Sequence, residues 1–324
     1  MGPSARGKRV ENVLDSLPEP LWSEDFAVLL GFKKSALGPR KDVSQGDELV
    51  RKTMLELYFD RNSKEHEIQQ DLIWSRFCAL YLPALVDRFL DPWTATDGSY
   101  IEKDASARED YQLFNPWLRM LVMVQHNPYL GKYLRSRKPV SSGNQHLTRV
   151  LGQRLSHVAA RWDREIRKPA SDHQEYYKGA AADVVQLLST LLTTFVSSRD
   201  SDKILPANTR KKLLPFLSGW RDLFYDPTMA RGDEQVSLGD VCFRTVIQLS
   251  SERDKRPQVH QYILKVKKHL KGWDQCGLPT CAATGDMKAC GRCHTVKYCG
   301  SDHQTLHWKW LSGPHKEMCF MTEF

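Results

Sequence analysis

Cys276, Cys281, Cys290, Cys293, Cys299 and Cys319 place six of the chain's eight cysteines in one C-terminal stretch, with His303, His307 and His315 among them. Thiolates and imidazoles at this density point first to zinc. The donors form four short pairs: Cys276-x4-Cys281, Cys290-x2-Cys293, Cys299-x3-His303 and His315-x3-Cys319. Two donors this close in sequence share a tight turn that can present both to one ion, about 2.3 Å from sulfur and about 2.0 Å from nitrogen. Eight donors suffice for two closed tetrahedral sites, so two structural Zn²⁺ ions are the expected cofactor. A closed site leaves no position for an activated water. His307 is the rival donor to His303, and His294, directly after Cys293, is expected to be exposed. Gly277, Gly285, Gly291 and Gly300 lie beside ligands and are expected to supply positive φ in the turns. A disulfide framework is the competing use of the thiols. The interleaved histidines argue against it, as does the lack of an apolar signal core after Met1. A redox role for Cys290-x2-Cys293 would need a βαβ context that the sequence does not offer.

The run Cys290–Gly291–Arg292–Cys293, then Tyr298–Cys299, His303–Gln304, His307–Trp308, and His315–Lys316 with Cys319, resembles a MYND-type zinc finger over residues 276–319. The resemblance implies a cross-braced ligand set. Cys276, Cys281, Cys299 and His303 would form site 1, and Cys290, Cys293, His315 and Cys319 site 2. It departs from the usual pattern in having His303 where the family usually has Cys, and six residues between Trp308 and His315. It also implies that Gln304 and Trp308 help form a shallow groove for proline-containing peptides. An indole packs well on a proline ring, and an amide side chain can bond a peptide backbone. The competing use of Trp308 is to pack the finger's small core.

The function so implied is that of a zinc-binding interaction or adaptor protein whose partners carry proline-containing segments, in transcriptional or other regulatory complexes. Some lysine methyltransferases carry such a finger inside a SET domain. Neither the Asn-His-type cofactor motif nor the Gly-Glu-Glu-Leu run of those enzymes occurs here, and the chain is not expected to be an enzyme.

A net charge of +8 invites a nucleic-acid reading, so its location matters. From Gly272 onward five basic residues meet five acidic ones, and the excess lies upstream. A phosphate-binding finger should lean positive. The alternative function is a nucleic-acid-binding regulator that uses the stretch 253–271, which holds seven Lys or Arg; a solvated helix face is the simpler use of these charges. No apolar run reaches the roughly 18 residues of a membrane span, so no membrane partner is expected. The expected location is intracellular, in nucleus or cytoplasm. Cys78 and Cys242 sit in apolar surroundings and read as buried free thiols.

The elements that must carry the finger are helical. Leu147, Leu151, Leu155, Val158, Trp162 and Ile166 recur in steps of three and four. Gln69–Leu90 repeats the pattern, with Pro83 as an expected kink. Asn115–Pro116 reads as a cap with proline at the first helical position, opening Trp117–Val124. Tyr176–Val196 is apolar almost all round and should lie mid-domain. Asn208 is a candidate cap for Thr209–Tyr225, Ser237–Leu249 follows, and Pro257 opens a last amphipathic helix with Val259, Ile263, Val266 and Leu270. The stretches 91–112, 135–145, 168–174, 198–207 and 226–236 read as loops. The expected fold is mainly α, an irregular or armadillo/HEAT-like helical array followed by a small two-zinc finger. Its expected divisions are a disordered leader at 1–20, an all-α domain at 21–271 and the finger at 272–324.

Overall fold

A computed structural model of the chain describes residues 23–30, 32, 67–91, 105–136, 143–168, 172–194, 204–224, 237–250, 275–311 and 313–324. The expected leader, the last amphipathic helix and the basic stretch 253–271 lie outside the described residues. Helices come first: α1 Ser23–Leu29, α2 Glu67–Leu90, α3 Ala105–Leu113, α4 Pro116–Met123, α5 Pro128–Arg135, α6 Gly143–Ile166, α7 Asp172–Thr194, α8 Ala207–Phe224 and α9 Leu238–Leu249. The finger follows with β1 Lys288–Ala289, β2 Lys297–Tyr298, α10 Ser301–Trp308 and α11 His315–Met318.

The helices stack as pairs, α2 with α4, α6 with α7 and α8 with α9. One row runs α2, α6, α8 and the other α4, α7, α9, each helix packing on the next in its row. Two rows of paired helices make the mainly α helical array that the sequence suggests. Helix α1 packs on α2, α3 on α6, and α5 on both α2 and α6. Helix α7 touches α4, α6 and α9, which accounts for its near-continuous burial from Ala180 to Thr193. On α6, the six residues of the apolar stripe are all buried. The second row also carries polar ties. Arg119 pairs with Asp183, Thr190 Oγ1 donates to Gln125 Oε1 at 2.8 Å, and Arg244 donates to Gln186 Oε1 at 2.8 Å.

Helix ends are closed by side chains, as buried termini require. Asn115 Oδ1 accepts from Leu118 N at 2.9 Å while its amide donates to Tyr111 O at 3.0 Å, so one residue opens α4 and ends α3. Arg154 on α6 donates to Phe89 O, Leu90 O and Gln112 O, closing the C-termini of α2 and α3 together. Cys78 and Cys242 are buried free thiols, and burial pushes both thiol pKa values up. Their low thiolate content makes them packing groups.

Several boundaries differ from the sequence reading. Helix α3 begins within the stretch 91–112, α6 within 135–145, and α7 within 168–174. In α3 only Leu113 is buried, so no apolar period announces it. Asn208 does not precede its helix: α8 starts at Ala207, and Asn208 Oδ1 bonds Thr209 N inside the first turn. Helix α5 is opened by Asn127, whose Oδ1 accepts from Tyr129 N at 3.0 Å, followed by Pro128.

Candidate metal centres

The finger brings its eight donors into two groups of four. The ligand atoms of Cys276, Cys281, Cys299 and His303 all lie within 4.8 Å of one another, as do those of Cys290, Cys293, His315 and Cys319. In site 1, Cys281 Sγ is 3.8 Å from Cys299 Sγ, and His303 Nδ1 is 3.6 Å from Cys276 Sγ and 3.1 Å from Cys299 Sγ. In site 2, Cys290 Sγ is 3.7 Å from Cys319 Sγ, and Cys293 Sγ is 3.5 Å from His315 Nε2. A tetrahedron built on zinc bond lengths has S–S edges of about 3.8 Å and S–N edges of about 3.6 Å. Four of the five separations match those edges, and the donor chemistry fits two Cys3His zinc sites.

Short structure sets each donor. Cys290 ends a two-stranded antiparallel ribbon in which Lys288 faces Tyr298 and Ala289 faces Lys297. Two N–H groups point at sulfur two residues back: Ala283 N lies 3.4 Å from Cys281 Sγ, and Thr295 N lies 3.4 Å from Cys293 Sγ. Such bonds orient a thiolate and stabilise its charge. At Cys276, burial raises the thiol pKa, but backbone N–H bonds from Cys299 and Leu278 and the His303 ring outweigh it, leaving about 7. Burial, with a smaller contribution from His307, lowers the His315 imidazole to about 4, so the ring is neutral and its lone pair can serve a metal.

His307 joins neither group. It is buried, its Nδ1 is 3.0 Å from the Tyr298 hydroxyl, and its ring stacks on His315 at 5.4 Å. His294 is exposed. Of the four glycines beside ligands only Gly285 has positive φ, at 125°. Gly277 has a different need, because a Cβ there would fall 2.1 Å from Val296 Cγ1. Gly291 and Gly300 show neither constraint. His294 itself adopts φ of 53°. Gln304 and Trp308 lie one turn apart on α10, both half-buried, and the Trp308 ring meets His315 edge-on at 5.9 Å.

The sequence reading missed how the finger is fastened. Helix α11 packs on α2, and α5 reaches the segment after Cys319. The buried Tyr129 hydroxyl donates to Met318 O at 2.8 Å and accepts from Phe320 N at 2.6 Å. Lys132 Nζ donates to Cys293 O at 2.9 Å and to Thr322 Oγ1 at 2.5 Å. Tyr133 packs edge-to-face on Phe324 at 5.2 Å. The available signal was Asn127–Pro128, the same cap-and-proline pair that marks α4.

The MYND finger family model matches residues 274–319. The C-terminal segment is therefore a MYND-type zinc finger with two Cys/His clusters suited to two zinc ions. No curated protein and no solved structure matches the chain. No helix among the described residues is long and apolar enough to cross a membrane.

The two centres differ in access. All four residues of site 2 are buried, whereas Cys299 in site 1 is exposed and Cys281 and His303 are half-buried. A chelator or a thiol oxidant reaches the open site first. Treating the zinc-loaded protein with a chromogenic chelator should release one ion in a fast phase and one in a slow phase. Loss of both ions in a single phase would show that burial does not govern release.

Proposed function

We propose that the protein is an interaction or adaptor protein whose finger reads short proline-containing segments of its partners, with Gln304 and Trp308 in the reading face. The observation that carries this is the closure of both centres. Each cluster has four protein donors, so the metal has no open position and serves to hold a shape. Chemistry at zinc is thereby disfavoured, and the reading assigns the chain no enzymatic role. Around the metals, α10 places Gln304 and Trp308 on one face, since residues four apart in a helix are neighbours. Six zinc-ligand thiols need reduced sulfur, which supports a location inside the cell.

The test is binding of a fluorescent proline-rich peptide to the full zinc-loaded chain. Trp308→Ala should weaken it at least about tenfold, the scale of a buried aromatic anchor, with two zinc ions retained. Equal affinity of the two proteins, at equal zinc content, would overturn the reading.

A further inference from the structure

We propose that Cys281 and Cys299 are a peroxide-sensitive thiol pair whose disulfide dismantles site 1 and releases the first turn of α10, while site 2 keeps the finger docked. Loss of peptide reading at the Gln304/Trp308 face follows from this and rests on the proposed use of that face; the thiol pair itself does not. Of the eight cysteines only Cys299 is exposed and only Cys281 is half-buried. The other six, Cys276 and the three thiols of site 2 among them, are buried. The two thiols that a solute can reach thus belong to one centre, with their sulfurs 3.8 Å apart.

Coordination holds both sulfurs as thiolates, the nucleophilic form, so neither has to lose a proton first. The Cys299 thiolate attacks one oxygen of hydrogen peroxide. The O–O bond breaks, Cys299 becomes a sulfenic acid, and hydroxide leaves. The Cys281 thiolate then attacks the Cys299 sulfur, the S–S bond forms, and a second hydroxide departs. With two protons from solvent the products are one disulfide and two waters, and two electrons have passed from sulfur to peroxide. A displacement of less than about 2 Å brings the sulfurs to bonding distance. Cys276 and His303 remain, two donors where a closed zinc site has four, so the ion is released.

The mechanical consequence is confined to one end of α10. Gly300 caps this helix without a side-chain hydrogen bond, and Gln304 N reaches Gly300 O at a long 3.3 Å. Eight residues are too few to hold a helix in water unaided. Cys299 and His303, joined through site 1, are therefore what closes the first turn. The other end is tied elsewhere: the Trp308 ring meets His315 of site 2, and the buried His307 bonds the Tyr298 hydroxyl. Tyr129 and Lys132 hold the segment around Cys319 and the Cys293 carbonyl against α5. Oxidation thus frees Gln304 and leaves Trp308 and the joint in place.

The test treats the zinc-loaded full chain with an equimolar amount of hydrogen peroxide. Peptide mass spectrometry should find a Cys281–Cys299 disulfide as the first product, with one zinc ion per chain passing to a chromogenic indicator. Hydrogen exchange should rise over 300–304 and stay at its reduced-state level over 128–135 and 315–320. Affinity for the proline-rich peptide should fall at least about tenfold, and a dithiol with added Zn²⁺ should restore it. A first disulfide to any other cysteine, a sulfinic acid at Cys299 in place of the disulfide, loss of both ions, or unchanged exchange over 300–304 would each overturn the proposal. So would equal peptide affinity of the reduced and oxidised chains where the reduced chain binds. If the reduced chain does not bind the peptide but the disulfide forms and 300–304 loosens, the peptide reading fails and the thiol switch stands.

Discussion

Cys293→Ser is expected to unfold the finger and to loosen helix α5, while the layers α6/α7 and α8/α9 remain folded. Little apolar surface holds the finger together. Among its described residues, Leu278, Tyr298 and Phe324 are the buried hydrophobic side chains apart from the cysteines. Structural zinc contributes roughly 10–16 kcal/mol of apparent binding free energy in small finger domains, and serine is not a competent replacement ligand. Loss of site 2 thus exceeds what so small a core can offset. The effect should cross the joint, because the carbonyl that Lys132 binds belongs to Cys293 itself, and Tyr129 bonds the backbone on either side of Cys319. Elemental analysis should find at most one zinc per chain. Hydrogen exchange should show protection lost over 275–324 and reduced over 128–135, and retained in α6 and α7. Wild-type protection of 128–135 beside an unfolded finger would show that the docking contacts contribute nothing to α5.

The metal centres were legible in the sequence because each donor pair spans only a few residues, and local spacing survives without knowledge of the fold. The pairing Cys276–Cys281 with Cys299–His303 was not legible from spacing, and came from the family resemblance. Long amphipathic helices were legible for a related reason: α6 repeats its apolar stripe over six positions, all of them buried. What escaped was whatever depends on partners far along the chain. Tyr129 and Lys132 find their partners between about 160 and 190 residues later. Helix α5 carries a cap signal but only two turns, too short for periodicity to speak. Helix α3 buries only Leu113, and a mostly polar stretch between two helices reads as a loop until its tertiary partners are known. The glycine error has a similar origin, since Gly277 is required by Val296, nineteen residues away in sequence and pressed against it in space.

Asp110 is the carboxylate that ties helix α3 to both α6 and α7, and Asp110→Ala is expected to cost about 2–4 kcal/mol, the scale of two buried donors left without an acceptor. Asp110 accepts from Arg161 Nη1 at 2.6 Å, from Trp162 Nε1 at 2.5 Å and from the Tyr177 hydroxyl at 3.1 Å. Its side chain is 15% exposed and that of Arg161 20%, so solvent replaces little of what is lost. Alanine would leave an indole N–H and a phenol without their acceptor between α3, α6 and α7, while Arg161 keeps Glu109 Oε2 at 3.2 Å and Ser106 O at 3.0 Å. Asp110→Asn should cost less, about 0.5–1.5 kcal/mol, because an acceptor oxygen stays while the charge goes. The phenol reports the same change independently. Burial first, and then the Asp110 carboxylate by its charge and as hydrogen-bond acceptor, push the Tyr177 pKa up to about 12. Removing the charge removes a repulsion on the phenolate, so the Tyr177 pKa in Asp110→Asn should fall, while staying above the ordinary tyrosine value through burial. Urea unfolding at neutral pH measures the first effect and alkaline ultraviolet titration the second. If Asp110→Ala unfolds within about 0.5 kcal/mol of wild type, as an ordinary surface change does, the carboxylate is not what holds α3 against the array.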